Sequence, residues 1–227
     1  MTKGQLKRHR RPRTRAVAPE AKSERRAALL AAAEALLERD PEAGFAVGDI
    51  ARRAGLAKGT VYLYFGSREE ILLAVHDAQL EELFRGVEQA LARPQVGAED
   101  VARAVLDFLG RRAEFFRLAT SCHGAIEDSV PAAAKRIHRE VVAARLTLLG
   151  ERIEALHPGM RAGEGLRLLM NCYAQMLGLW QLSASPLRVD AGAEAPAALQ
   201  IDFERQLAAV LTDLWNAAVR RGKGQAS

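Results

Sequence analysis

The chain has 227 residues, 49% of them apolar and 5% aromatic, enough for one medium domain or a small domain beside a larger one. Its two cysteines, Cys122 and Cys172, lie far apart with no CxxC or Cys/His ligand spacing, which argues against a structural zinc site and fits a reducing compartment. No apolar run approaches the roughly 20 residues that span a bilayer, and the basic N-terminus lacks the apolar segment of a signal peptide, so the expectation is a cytoplasmic protein with no membrane contact.

The formal charge of +5 is unevenly placed. Residues 1–68 hold 15 Lys and Arg against 7 Asp and Glu, a balance of +8, and the remainder carries −3. A basic first third on a slightly acidic remainder is the footprint of a nucleic-acid-binding head on a larger body. Residues 1–18 are polar, basic and without apolar period, and read as a disordered arm. Lys7, Arg8, Arg10, Arg11, Arg13 and Arg15 can lie along phosphates or enter a minor groove, or the arm can remain a solvated tail.

From about Pro19 to Arg39 an apolar stripe of Ala28, Leu29, Ala32, Ala33, Leu36 and Leu37 predicts a helix, ended by Asp40, Pro41 and Gly44. Short helices follow at about Val47–Ala54 and Lys58–Tyr64, with Gly55 in the turn between them. Ala51 is small enough for close helix approach, and Gly55 takes a positive φ at no Cβ penalty. Ile50, Ala54, Leu56 and Val61 point inward in this reading. Lys58, Gly59, Thr60, Tyr62, Leu63 and Tyr64 are left facing outward, a face with a cation, hydroxyls and phenols that suits the DNA major groove.

Ser67 with Glu70 three residues on forms a capping-box pattern for a fourth helix, expected to reach about Leu91 before Pro94 and Gly97. Further helices are expected at about Glu99–Arg112, Glu114–Gly124, Pro131–Leu156, Arg161–Ser183 and Asp202–Arg221, with a loop over Ala184–Leu199. The fold class is all-α, about nine helices, with no sheet. The domains are a basic arm (1–18), a helix-turn-helix head (19–75) and a helical body (76–227).

The last two helices carry wide apolar stripes, with Ala174 and Gly178 leaving room for another helix, so Arg161–Ser183 and Asp202–Arg221 are expected to build a four-helix homodimer interface. The competing reading is that both merely cover the monomer core. A ligand cavity in the body would have apolar walls from Leu106, Leu109, Phe115, Phe116, Leu118, Ile137, Val141, Leu148 and Leu177, with polar groups from Cys122, His123, Asn171, Tyr173 and Gln175. The proposed contact set is Phe116, His123, Asn171, Tyr173, Gln175 and Leu177, for a small apolar or amphipathic effector. No nucleophile elbow, phosphate loop, paired-carboxylate motif or metal-ligand set is present, so neither catalysis nor a cofactor is expected.

The segment from about Arg26 to Leu72 resembles the N-terminal domain of the TetR family of bacterial transcriptional repressors. The resemblance rests on Phe45-Ala46-Val47, Asp49-Ile50-Ala51, Ala54-Gly55-Leu56, Gly59-Thr60-Val61-Tyr62, Tyr64-Phe65 and Ser67-Arg68-Glu69-Glu70-Ile71. It implies a homodimer on a palindromic double-stranded operator, released when a small ligand enters the body. Lys58, Gly59 and Thr60 would then face base edges or phosphates, Tyr62 and Tyr64 would bond phosphates, and Phe65 would be core. Arg68 stands where the family usually has Lys, and can bind phosphate in a bidentate manner. Ala46 and Ala57 replace the hydroxyl residues usual before the second and third helices, and Leu63 can press on a thymine methyl or stay idle. The alternatives are an architectural DNA-binding protein of little sequence preference and an enzyme with an appended DNA-binding head.

Overall fold

The computed structural model describes residues 17–40, 44–112, 114–122, 129–184 and 201–224. The expected basic arm, His123 and the expected loop after the eighth helix fall largely or wholly outside these residues. The described residues form nine helices and no strand: α1 (Val17–Arg39), α2 (Val47–Arg53), α3 (Lys58–Val61), α4 (Arg68–Leu91), α5 (Ala98–Arg111), α6 (Phe115–Cys122), α7 (Ala132–Leu156), α8 (Glu164–Ala184) and α9 (Phe203–Gly224).

Local chemistry explains where these helices start and stop. Pro19 lies inside the first turn of α1, where its missing N–H removes no intrahelical bond. The Ser67 hydroxyl accepts from Glu70 N at 3.1 Å, while the Glu70 carboxylate accepts from Gly66 N at 2.7 Å. The capping box is therefore present with its return bond one residue earlier than the usual cap. α8 starts three residues later than expected, because Gly163 turns the chain at φ +86° and Glu164 accepts from Arg161 N at 2.9 Å. Asp202 caps α9 by accepting from Arg205 N at 3.1 Å.

Two apolar cores share α4 and α6. Leu29, Ala33 and Leu36 of α1 pack with Ile50, Ala51, Val61 and Phe65, and with the start of α4 from Ile71 to Val75. Further along α4, Leu80, Leu83, Val87 and Leu91 join the second core with α5, α7, α8 and α9. α6 contributes to both: Phe115, Phe116 and Ala119 lie in the second, Leu118 and Cys122 in the first.

Two devices set the position of α7. Arg145 binds Glu81 at 3.1 Å and Glu88 at 3.3 Å on α4, and His138 pairs with Asp77 of the same helix. On its other side Gly150 meets Gly165 of α8. A Cβ built at Gly165 would stand 2.2 Å from the Gly150 carbonyl oxygen, so both backbones require glycine there. These restraints turn Ile137, Val141 and Leu148 out to solvent, which corrects their expected place as cavity walls. The inward residues are instead Val142, Leu146 and Leu149.

Candidate nucleic-acid interface and body cavity

The turn between α2 and α3 is closed by backbone bonds. Gly55 adopts φ +67°, Leu56 N donates to Ala51 O at 2.9 Å, and Gly55 N donates to Arg52 O at 3.3 Å. This is the Schellman pair that satisfies the last carbonyls of α2. Ile50 and Val61 are buried and Ala54 and Leu56 pack beside them, as the spacing requires.

α3 is shorter than expected. Its α-helical part ends at Val61, and bonds from Leu63 N to Thr60 O and Tyr64 N to Val61 O tighten the chain into a three-residue turn. Gly, Thr and Val are weak helix formers, which accounts for the early end. Lys58 and Gly59 are exposed, Thr60 and Tyr64 are half-buried, Tyr62 is 49% exposed and Leu63 is 77% exposed.

Neither Ala46 nor Ala57 makes a side-chain cap. At α2 the loss is offset from the other end. Asp49 accepts from Ala46 N at 3.0 Å and also contacts Arg52. That backbone hydrogen bond, followed by Arg52, holds the Asp49 carboxyl below its ordinary pKa. The sequence signal for this cap is an acid three residues after the cap position.

Arg68 acts first within the chain. Its Nε donates to Phe45 O at 2.9 Å and its guanidinium lies 5.3 Å from the Phe45 ring centre. It thereby ties the start of α4 to the entry of α2. Gly44, at φ +65°, leaves room for it, since a Cβ there would stand 2.8 Å from an Arg68 terminal nitrogen.

The body holds two adjoining spaces. An inner cavity of about 190 Å³ is walled mainly by hydrocarbon from α4, α7 and α8, including Leu80, Phe84, Leu149 and Met176. An outer groove of about 590 Å³ reaches from Leu73 and Cys122 to Leu166, and holds Lys135 and Arg139. His138, Val142, Leu146 and Met170 line both. Among the expected contact residues Tyr173 lines the inner cavity. Phe116 is in the core beside it, stacked on Trp180 at 5.1 Å between centroids, and Leu177 packs against the same core. Asn171 and Gln175 are exposed and line neither space, and His123 lies outside the described residues.

Sequence reasoning missed His76, His138 and Cys172. His76 is buried with its ring 6.3 Å from that of His138. Its only signal was a polar residue on an apolar stripe of α4. Burial pushes the Cys122 and Cys172 thiols and the Tyr173 phenol up to about 12, so all three line the spaces as neutral groups.

Residues 74–218 match the family described as tetracyclin repressor-like, C-terminal domain, and residues 29–75 match the bacterial regulatory proteins of the tetR family. The chain belongs to the TetR family. The family is one of bacterial regulatory proteins. EthR, a transcriptional regulator of Mycolicibacterium smegmatis, is 38% identical over 82 residues, 36% of this chain and 38% of that one. The transcriptional activator FasR of the same species is 33% identical over 118 residues, 50% of this chain and 53% of that one. The chain thus spans a third to a half of these relatives' length. A Rhodococcus protein of unknown function shares the fold at TM-score 0.58 and 23% identity, covering 86% of this chain and 95% of that one. A TetR-family regulator from Shewanella does so at TM-score 0.53 and 20% identity, with 85% and 97% covered. Among the described residues no helix is long and apolar enough to cross a membrane.

Proposed function

We propose that this TetR-family regulator is a homodimeric repressor that binds an inverted-repeat operator and leaves it when a small amphipathic molecule fills the body cavity. The observation that carries this reading is α6, whose Phe115 and Phe116 lie in the body core while Leu118 and Cys122 lie in the head core. Cys122 also lines the outer groove. A ligand that displaces α6 must therefore disturb both cores, because close-packed interiors switch arrangement more readily than they deform. We place the division between head and body near residue 75, which accords with the change of core along α4.

On the operator, Lys58 and Thr60 read base edges, Tyr62 and Tyr64 bond phosphates, and Leu63 meets a thymine methyl. A Cβ at Gly59 would meet nothing within 4 Å, so the glycine is not required by the chain itself and suits close approach of DNA. Arg68 contributes by fixing the entry of α2 and by offering phosphate a guanidinium whose one terminal nitrogen also lies 3.7 Å from Glu69. The dimer face is built by α8 and α9, on the outer side of α8 where Asn171, Ala174, Gln175 and Leu182 are exposed at helical spacing around Gly178. We read the protein as having no catalytic activity, in keeping with a family of regulators, and as working in the cytoplasm.

Selection from a randomised duplex library tests the reading. Recovered duplexes should carry inverted half-sites about one helical turn or a small multiple apart, each duplex holding two chains or a multiple of two. Recovery without sequence enrichment would instead support an architectural protein held by charge alone. An activator is the second reading, favoured by the activator role of FasR. A promoter–reporter pair with and without the protein separates the two by the sign of the change.

A further inference from the structure

We propose that the body takes a single-chain amphiphile with an anionic head, the head held at Lys135 and Arg139 and the tail passing His138 into the inner cavity. This rests on the reading of the body as an effector site and names the ligand class. Three observations lead to it.

The inner cavity of about 190 Å³ is lined mainly by apolar side chains, with His76 and His138 among them and Cys172 and Tyr173 held neutral. A polar group pushed into it would lose its water and gain few partners, so hydrocarbon is what fits. The cavity and the outer groove adjoin, because His138, Val142, Leu146 and Met170 line both. In the proposed complex the tail passes between these four side chains.

The groove is where the charge sits. Lys135 and Arg139 are one helical turn apart on α7, and no Asp or Glu is among the described residues lining the groove. Lys135 is half-buried and forms no ion pair among the described residues. Asp77 is close to His138 but is held in that pair, outside the lining. Lys135 places positive charge at the mouth of an apolar hole, on a body whose overall charge is slightly negative, and favours an anion by attraction. It also sets the orientation. No Lys or Arg lines the inner cavity, so the head stays with the groove's cations while the tail goes in.

Titration calorimetry on the whole protein without DNA tests this, using decanoate, decyl phosphate, decanol and decylamine below their micelle concentrations. At least one anion should bind about ten-fold or more tighter than decanol, and decylamine should bind weakest. Whichever of decanoate and decyl phosphate is tighter identifies the head as carboxylate or phosphate. Lys135→Gln should weaken the anions roughly five- to ten-fold and Lys135→Glu more, with decanol unmoved. Met170→Trp, at the half-exposed junction of the two spaces, should weaken all the probes. Equal binding of decanol and both anions would overturn the proposal. So would anion affinity indifferent to Lys135→Glu, or full decanol affinity in Met170→Trp. Operator release is measured separately. Probes that bind as described but leave the operator bound would sink the effector reading and keep the site.

Discussion

Gly165→Ala should destabilise the protein, although it places the best helix former in a helix. A Cβ at this position lies 2.2 Å from the Gly150 carbonyl oxygen, 2.8 Å from its carbon and 2.9 Å from its Cα. Ordinary non-bonded contact is about 3.5 Å or more, so α7 and α8 must part locally by about 1 Å. All three clashing atoms are backbone, and no side chain can swing away. The cost then falls near the top of the overpacking range, about 3 kcal/mol. The gain from helix propensity is at most about 1 kcal/mol. The net loss is about 2 kcal/mol, which in a protein of this size lowers Tm by about 4–8 °C. Thermal melts by circular dichroism, at matched protein concentration, measure it. Gly110→Ala in α5 is the control, since its Cβ meets nothing within 4 Å and it should hold or raise Tm. If Gly165→Ala melts at or above the parent, the two helices do not cross at these glycines. Leu166 and Met170 would then be misplaced as groove walls.

Gly178→Trp should leave the folded monomer intact, because nothing stands within 4 Å of its Cβ, but split the dimer in sedimentation experiments. An unchanged dimer would move the interface elsewhere. Thr60→Ala should relax discrimination between operator variants, whereas Tyr62→Phe should weaken all sites alike by about 1 kcal/mol. Competition binding distinguishes them, and the reverse pattern would exchange their roles. Asp49, Asp100 and Glu164 each accept a backbone N–H ahead of a helix and have lowered pKa values, led by that bond. Their stabilisation is complete above the unfolded-state pKa and is lost as pH falls through the lower folded value. The acid limb of a melt series should therefore lie below about pH 4 and flatten in Asp49→Asn. An unchanged acid limb in that variant would remove Asp49 from the account.

The head was readable because its punctuation is local. Gly55 needed a positive φ, Ser67 needed an acceptor role at a helix start, and Ile50 and Val61 had one face each to bury. The body was less readable because α7 is apolar on more than one face. Ile137, Val141 and Leu148 repeat at helical spacing as regularly as Val142, Leu146 and Leu149. What chooses between the two stripes is long-range: Arg145 reaching Glu81 and Glu88, and Gly150 meeting Gly165. No window of sequence around α7 contains those partners. The same choice decides the cavity, which is why Tyr173 was found from sequence while His76 and His138 were not. Asn171 and Gln175 share a helix with Tyr173, but their spacing turns them to its outer face.

The most direct measurement is competition at about 0.15 M salt between a selected inverted-repeat duplex and random DNA of equal length, read by fluorescence anisotropy. Specific binders of this kind hold their site at least about 10³-fold tighter than other DNA. The account predicts a ratio of that order for the parent and a collapse toward unity when one half-site is scrambled. Equal affinity for both duplexes, varying only with salt, would contradict it.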